Sequence, residues 1–245
     1  MRRKIDKNAE FDHFNELSNE WWDPNGKFKV LHTLTPLRIK YIKSNLCLTQ
    51  RNIAKHNQVL KGLDILDLGC GGGLICEPLA RLGAKITGID FVKKNIDIAR
   101  QHAKFSKLNI TYFTKDLLSI KINKKFDIIL MLEVIEHLDN WESVVIKIIK
   151  NLKPNGKIIF STINRTLHSR IFAIFLAEEV LKWIPKKTHN YLKLVRPKEL
   201  TSLLEKNNMK ILDTTGLVFN PILKEWFLHK KMTKINYFCT AQKLN

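Results

Sequence analysis

Apolar and polar positions along the chain alternate between two rhythms. Short, mostly apolar runs occur at residues 65–68, 85–89, 109–113, 126–132 and 157–162. Each is bounded by turn-forming residues and is too short for a helix of ordinary length, so each predicts a strand. Between them lie segments with apolar residues at helical spacing, at 74–82, 93–106, 141–152 and 197–206. In the segment 93–106 the buried side falls on Ile96, Ile98, Ala99 and Ala103. The run F-D-I-I-L-M-L at 126–132 is nearly continuous, as expected of a parallel strand covered on both faces. Strands alternating with helices predict a doubly wound, mostly parallel sheet, with ligands at the carboxyl ends of the strands. Residues 209–214 and 235–242 read as final strands, an antiparallel pair closing the sheet.

The pattern is broken in two places. Residues 1–60 precede the first strand and form an N-terminal helical extension, with Phe11, Phe14 and Leu17 at helical spacing before Trp21 and Trp22. A helix is predicted over 36–45, with Pro36 near its start. Residues 163–196 interrupt the rhythm after the fifth strand. Within them, 171–184 places Phe172, Phe175, Leu176 and Trp183 on one face among many basic residues. This suits either a lid on a substrate pocket or docking at an anionic bilayer interface. With no internal repeat or low-complexity linker, the expectation is a single domain over 1–245.

The densest chemical signal is D-I-L-D-L-G-C-G-G-G-L at 64–74, followed by a helix, a strand and Asp90. Glycines allow positive φ and close approach of a ligand. An acid at the next strand end, about 20 residues after the first glycine, suits the two hydroxyls of a ribose. The dinucleotide fingerprint needs a glycine where this chain has Leu74, which disfavours an oxidoreductase. A nucleoside without a pyrophosphate fits better, and D-L-G-C-G-G-G resembles motif I of class I methyltransferases, whose donor is S-adenosylmethionine. Asp116, just after the third strand, either bonds an adenine amino group or caps a helix.

Composition narrows the partners only a little. Net charge is +19 with a pI near 9.8, mostly from lysine. The charge is diffuse and no aromatic–basic strand motif accompanies it, so nucleic acid is not the expected partner. Cys47, Cys70, Cys76 and Cys239 form no C-x-x-C pair, so neither a zinc framework nor a disulfide scaffold is expected. The first 20 residues do not read as a signal peptide and no run spans a membrane, so a cytoplasmic protein is expected.

The string L-E-V-I-E-H-L-D at 132–139 supplies acid–base chemistry. Glu136 and His137 are candidate catalytic residues, with His189 as a second candidate base. Alternatively, Glu133, Glu136 and His137 hold Mg²⁺ or another divalent cation that lowers the pKa of a catechol, or the histidine merely orients a loop. Arg38 is either a surface charge or a bidentate carboxylate holder. The Trp pair is either core or a roof over a flat aromatic substrate.

The segments W-W-D-P-N-G-K-F-K-V-L-H-T-L-T-P-L-R, D-L-G-C-G-G-G, L-E-V-I-E-H-L, S-T-I-N-R and G-L-V-F-N-P together resemble the bacterial ubiquinone biosynthesis O-methyltransferases, over nearly the whole chain. The resemblance implies a Rossmann-like class I methyltransferase fold with a seven-stranded sheet. It implies methylation of ring hydroxyls on polyprenylated phenol and quinol precursors, the 3-demethylubiquinol step among them. It places Arg38, Gly69, Asp90 and Leu132 at the donor, where Gly71 and Asp116 are candidates by position, and Glu133, Glu136 and His137 at a divalent metal. Many relatives carry Met where this chain has Leu132. It also implies contact with an anionic membrane surface through the insertion, peripheral attachment to the inner membrane, and association with other ubiquinone-biosynthesis enzymes.

Overall fold

The computed structural model describes residues 17–46, 58–167, 169 and 191–245. Phe11, Phe14, Cys47, His189 and the segment 171–184 lie outside them. The apolar runs are strands: β1 (Asp64–Leu68), β2 (Lys85–Asp90), β3 (Thr111–Thr114), β4 (Phe126–Leu132) and β5 (Leu152–Ile163). They are followed by β6 (Met209–Asn220), β7 (Glu225–His229) and β8 (Asn236–Lys243). The sheet order is β3-β2-β1-β4-β5-β8-β6-β7. The first five strands are parallel; β8 runs antiparallel between β5 and β6, and β7 pairs antiparallel with the outer edge of β6. The closing antiparallel pair is as expected. The strand count is eight among the described residues, because β6 runs on past the pattern that marks it and turns back as β7.

Alternate strand residues face two separate cores, which explains the unbroken apolar runs. Leu66 and Leu68 of β1, Ile129 and Met131 of β4, and Ile158 and Phe160 of β5 face one. Ile65, Ile128, Leu130 and Ile159 face the other. The first core is covered by the helices Trp141–Ile149 and Pro197–Glu205, the second by Lys29–Leu46, Cys76–Arg81 and Lys93–Phe105. In chain order these helices are α1 (Lys29–Leu46), α2 (Cys76–Arg81), α3 (Lys93–Phe105), α4 (Trp141–Ile149) and α5 (Pro197–Glu205).

Helix α1 begins seven residues before its expected start, with Pro36 in its interior. An interior proline removes one helical hydrogen bond and costs about 3 kcal/mol. Burial offsets this: Leu34, Arg38, Tyr41 and Ile42 form one buried stripe. The Tyr41 hydroxyl donates to Asp213 at 2.9 Å and lies 3.0 Å from Thr240, while its ring stacks on Phe238. This anchor fixes α1 against β6 and β8 and sets Arg38, three residues earlier, at the carboxyl edge of the sheet.

The described part of the N-terminal extension packs on the same edge. Leu17, Trp21, Phe28 and Leu74 form a small third cluster. Trp21 stacks on Phe28 at 3.9 Å and Trp22 on His102 at 3.4 Å. The Trp pair therefore packs against the protein itself rather than forming an open aromatic roof. Truncating Trp21 to Ala is expected to cost about 3–5 kcal/mol, read as a lower urea midpoint with an unchanged slope. A loss below about 1 kcal/mol would mean the extension is not part of the cooperative fold.

Candidate active site

The site forms where the carboxyl ends of β1, β2, β4 and β5 meet the start of α3 and the middle of α1. At its floor, Gly69 and Gly71 take φ of +72° and +52°. The Gly69 amide donates to Ile89 O at 2.7 Å, and the Gly71 amide to Asp90 Oδ2 at 2.9 Å. The other carboxylate oxygen of Asp90 accepts from the Val92 amide at 2.9 Å and from Asn95 Nδ2 at 3.3 Å. Asn95 Oδ1 in turn accepts from Ser18 Oγ at 2.7 Å and Trp21 Nε1 at 2.8 Å.

The glycines are needed here for close approach, and what approaches is Trp21. A Cβ on Gly71 or Gly72 would lie 2.4 Å from its ring atoms. Trp22 Nε1 also donates to Gly72 O at 3.0 Å. Asp90 is 6% exposed, and burial pushes its carboxyl above the ordinary range while the hydrogen bonds pull it down. A carboxylate has about four acceptor positions, and the amides of Gly71, Val92 and Phe91 and the side chain of Asn95 all bond to it. Two ribose bonds at Asp90, as the spacing led us to expect, therefore require it to exchange partners; the 3.3 Å bond from Asn95 is the longest of those to Gly71, Val92 and Asn95.

Opposite the glycine turn stands Glu133, the residue after β4, held at φ +56°. A left-handed backbone on a glutamate is uncommon and persists only when its surroundings hold it. Its Oε1 accepts from Ser161 Oγ at 2.7 Å and from Arg38 Nη2 and Asn236 Nδ2, each at 3.3 Å. Arg38 is 5% exposed, and its Nε has no hydrogen-bond partner. A buried guanidinium with one open donor is the group a ligand carboxylate would complete. Asp67 lies beneath, accepting from Cys76 Sγ at 3.2 Å; burial pushes it up to about 7, against the pull of that bond and of the Arg38 charge.

Glu136 and His137 follow in a single 3-10 turn, Ile135–His137. Glu136 is 4% exposed, and one of its carboxylate oxygens is unpartnered. Burial and the neighbouring charge of Glu133 push it well above the ordinary carboxylate range, with His137 pulling the other way. The expected metal set is not assembled: among the described residues no three His, Cys, Asp or Glu side chains are grouped to hold an ion. The physical reason lies in the backbone turn at Glu133, which commits its carboxylate to Arg38, Ser161 and Asn236. The residues as arranged do not fit a cation.

The remaining expected residues fall on the same edge. Leu132 is buried at the end of β4, opposite Ser161. Asp116 is exposed and its Oδ1 accepts from the Leu118 amide at 2.9 Å, closing a turn rather than a helix. Asn95, Ser161 and Asn236 were not expected at the site, and Trp21 was expected only as core or as a roof over a substrate. Asn95 had a signal, a polar residue on the buried face of α3; so did Arg38, in the apolar stripe of α1. Asn236 had none, since its partner is 103 positions away.

The chain matches the family model described as a methyltransferase domain over residues 42–214. It is 44% identical to the ubiquinone biosynthesis O-methyltransferase of Sinorhizobium fredii, covering 99% of this chain and 97% of the relative. Its identity to the enzyme of the same name from Pelagibacter ubique is 43%, over 93% and 94% of the two chains. Among solved structures, it resembles the magnesium protoporphyrin IX methyltransferase of Synechocystis with bound SAH, at a TM-score of 0.67 and 20% identity. That alignment covers 97% of this chain and all of the other. The N-methyltransferase NodS of Bradyrhizobium japonicum aligns with a TM-score of 0.62 at 15% identity, over 97% and 98% of the two chains. These two structural likenesses show the fold.

Two outcomes test this geometry. Asp90→Ala is expected to weaken S-adenosylhomocysteine binding by about tenfold or more, measured by calorimetry, since a hydrogen bond to a charged group contributes about 1.5–3 kcal/mol. Unchanged affinity would remove Asp90 from the ligand. The second concerns Asp67, whose folded pKa lies above its unfolded one. Between roughly pH 4 and 7 the folded state then binds the extra proton, so stability falls as pH rises, by up to about 1.4 kcal/mol per unit, and levels off above about 7. Asp67→Asn is expected to lack this fall, so its urea midpoint gains on that of the native protein between pH 5 and pH 8. Parallel curves for the two proteins would refute the assignment.

Proposed function

The chain belongs to the methyltransferase-domain family and, within it, to the ubiquinone biosynthesis O-methyltransferases, and from that premise we propose that it methylates ring hydroxyls of polyprenylated phenol and quinol precursors of ubiquinone with S-adenosylmethionine as donor. We read the chain as one catalytic domain with an extension over 1–60 and an insertion over 163–196. The observation that carries the reading is the buried Arg38, with its open Nε, facing the glycine turn and Asp90 across one sheet edge.

When bound, the donor supplies an electrophilic methyl group on a sulfonium. Gly69, Gly71 and Asp90 would receive its adenosine, Arg38 its carboxylate, and Leu132 its apolar flank, with Asp116 at the adenine rim. The protein's task is then alignment, which holds the acceptor oxygen in line with the methyl carbon. The acceptor hydroxyl must lose a proton, and Glu136 and His137, adjacent in the 3-10 turn, are the groups placed to take it. Glu133 keeps Arg38 neutralised and in place.

The substrate is apolar, and no described helix is long and apolar enough to cross a membrane. An apolar substrate calls for attachment to the surface of an anionic membrane, and we propose that the enzyme is peripheral on the inner membrane from the cytoplasmic side, within reach of other enzymes of the pathway.

The test is methyl transfer from labelled S-adenosylmethionine to a short-chain demethylubiquinol. Turnover is expected, and His137→Ala is expected to lower kcat by about 10²–10⁴-fold while S-adenosylhomocysteine affinity is kept. No transfer to the quinol would refute the substrate class. A chelator arm bears on the cation: turnover retained in excess EDTA is the outcome of an unassembled ligand set, and its loss would restore a metal role to Glu133, Glu136 and His137.

A further inference from the structure

The polar network around Glu133 has two open ends. One is Arg38 Nε, a hydrogen-bond donor, which the proposed reading fills with the carboxylate of the methyl donor. The other is Asn236 Oδ1, an acceptor, which is buried and has no hydrogen-bond partner. Arg38 Nη2 and Asn236 Nδ2 donate to the same carboxylate oxygen, Glu133 Oε1, at 3.3 Å each. Asn236 Nδ2 also lies 3.5 Å from Glu133 Oε2.

Turning the amide over does not close the open end. A carboxylate paired with a guanidinium only accepts, so Asn236 must present its nitrogen to Glu133 and its oxygen elsewhere. Asn236 is the first residue of β8, and its neighbours on that rung are Ile163 of β5 and Leu217 of β6, whose side chains have nothing to donate. Ser161, two residues before Ile163 and so on the same face of β5, donates its hydroxyl to Glu133 at 2.7 Å. A buried acceptor left without a donor loses its hydration with no return. Asn164 repeats the pattern, with Oδ1 open and Nδ2 on Thr233 O at 2.8 Å, but its bonds run to Thr233 and Ile235 and not to the Glu133 network.

We infer that Asn236 Oδ1 accepts a hydroxyl of the acceptor ring, the one that is not methylated, and thereby selects rings with two adjacent hydroxyls and decides which oxygen receives the methyl group. The inference rests on the proposed O-methyl transfer and names the group that reads its substrate. An amide oxygen is too weak a base to take a phenol proton, so the hydroxyl it holds keeps its own. The other oxygen passes its proton to the base in the Ile135–His137 turn and forms the new C–O bond. The methyl–sulfur bond breaks with its electron pair left on sulfur. Arg38 and Asn236 share one carboxylate oxygen, so the two open ends are close, and the held hydroxyl belongs on the ring carbon next to the reacting one. A methoxy group has no proton to give Asn236, so each adjacent pair accepts one methyl.

The experiment uses the full-length protein loaded with S-adenosylhomocysteine, and two probes: a catechol with a short prenyl chain, and the matching phenol without the second hydroxyl. The native protein is expected to bind the catechol about tenfold or more tighter by calorimetry, because the phenol leaves Asn236 Oδ1 unpaired. Asn236→Ala is expected to bring the two probes within about twofold of each other by weakening the catechol, with S-adenosylhomocysteine affinity kept as the check on folding. In turnover with S-adenosylmethionine, the native protein should give one monomethyl ether of the catechol and Asn236→Ala both. Equal binding of the two probes to the native protein overturns the inference. So does an Asn236→Ala variant that keeps both the preference and the single product. Loss of the preference in Asn164→Ala but not in Asn236→Ala hands the hydroxyl to Asn164, and loss of S-adenosylhomocysteine affinity with the preference intact assigns Asn236 to the methyl donor; either result also overturns it. Native protein that prefers the catechol yet transfers no methyl to it would sink the functional reading and leave the hydroxyl contact standing.

Discussion

A buried carboxylate holds the active-site edge together. Asp90 binds the amides of Gly71 and Val92 and the side chain of Asn95, so it joins the glycine turn, its own strand end and the start of α3. Asn95 passes the connection on to Ser18 and Trp21, and Trp21 lies on the glycines themselves. Burial disfavours the charge on Asp90, and the hydrogen bonds to that charge from Gly71, Phe91, Val92 and Asn95 work against the penalty. The turn therefore keeps its left-handed conformation, and the N-terminal segment stays seated, through the same oxygen pair.

A second buried charge lies at the same edge of the sheet. Arg38 sits in the apolar stripe of α1, where a guanidinium is tolerated only with partners. Glu133 is that partner, and the left-handed backbone at Glu133 turns its carboxylate toward α1. Because the pair leaves the Arg38 Nε open, the site keeps one buried donor in reserve for an anion. The same pairing explains why Glu133 does not join Glu136 and His137 in a metal set. Tyr41 keeps α1 in register through Asp213 and Thr240.

The sheet gives these groups a common edge and also decides what borders it. β6 overruns that edge, and the hairpin it forms with β7 ends in an exposed apolar tip. A net charge of +19 spread over the surface said nothing about direction.

Local pattern was enough to read the strands, the covering helices, the glycine turn and the acid that follows it, because each depends on neighbours two to four positions apart. Motifs spread along the chain were enough to place it in its family. Where local pattern met long-range packing, packing won: Pro36 lies inside α1 because the stripe around it is buried, and β6 is longer than its alternation suggests because β7 covers it. Only the folded chain decided which polar groups meet. Arg38 and Glu133 are 95 positions apart, and Tyr41 and Asp213 are 172. A buried charge or hydroxyl must find a partner, but periodicity does not record which distant residue the fold brings to it.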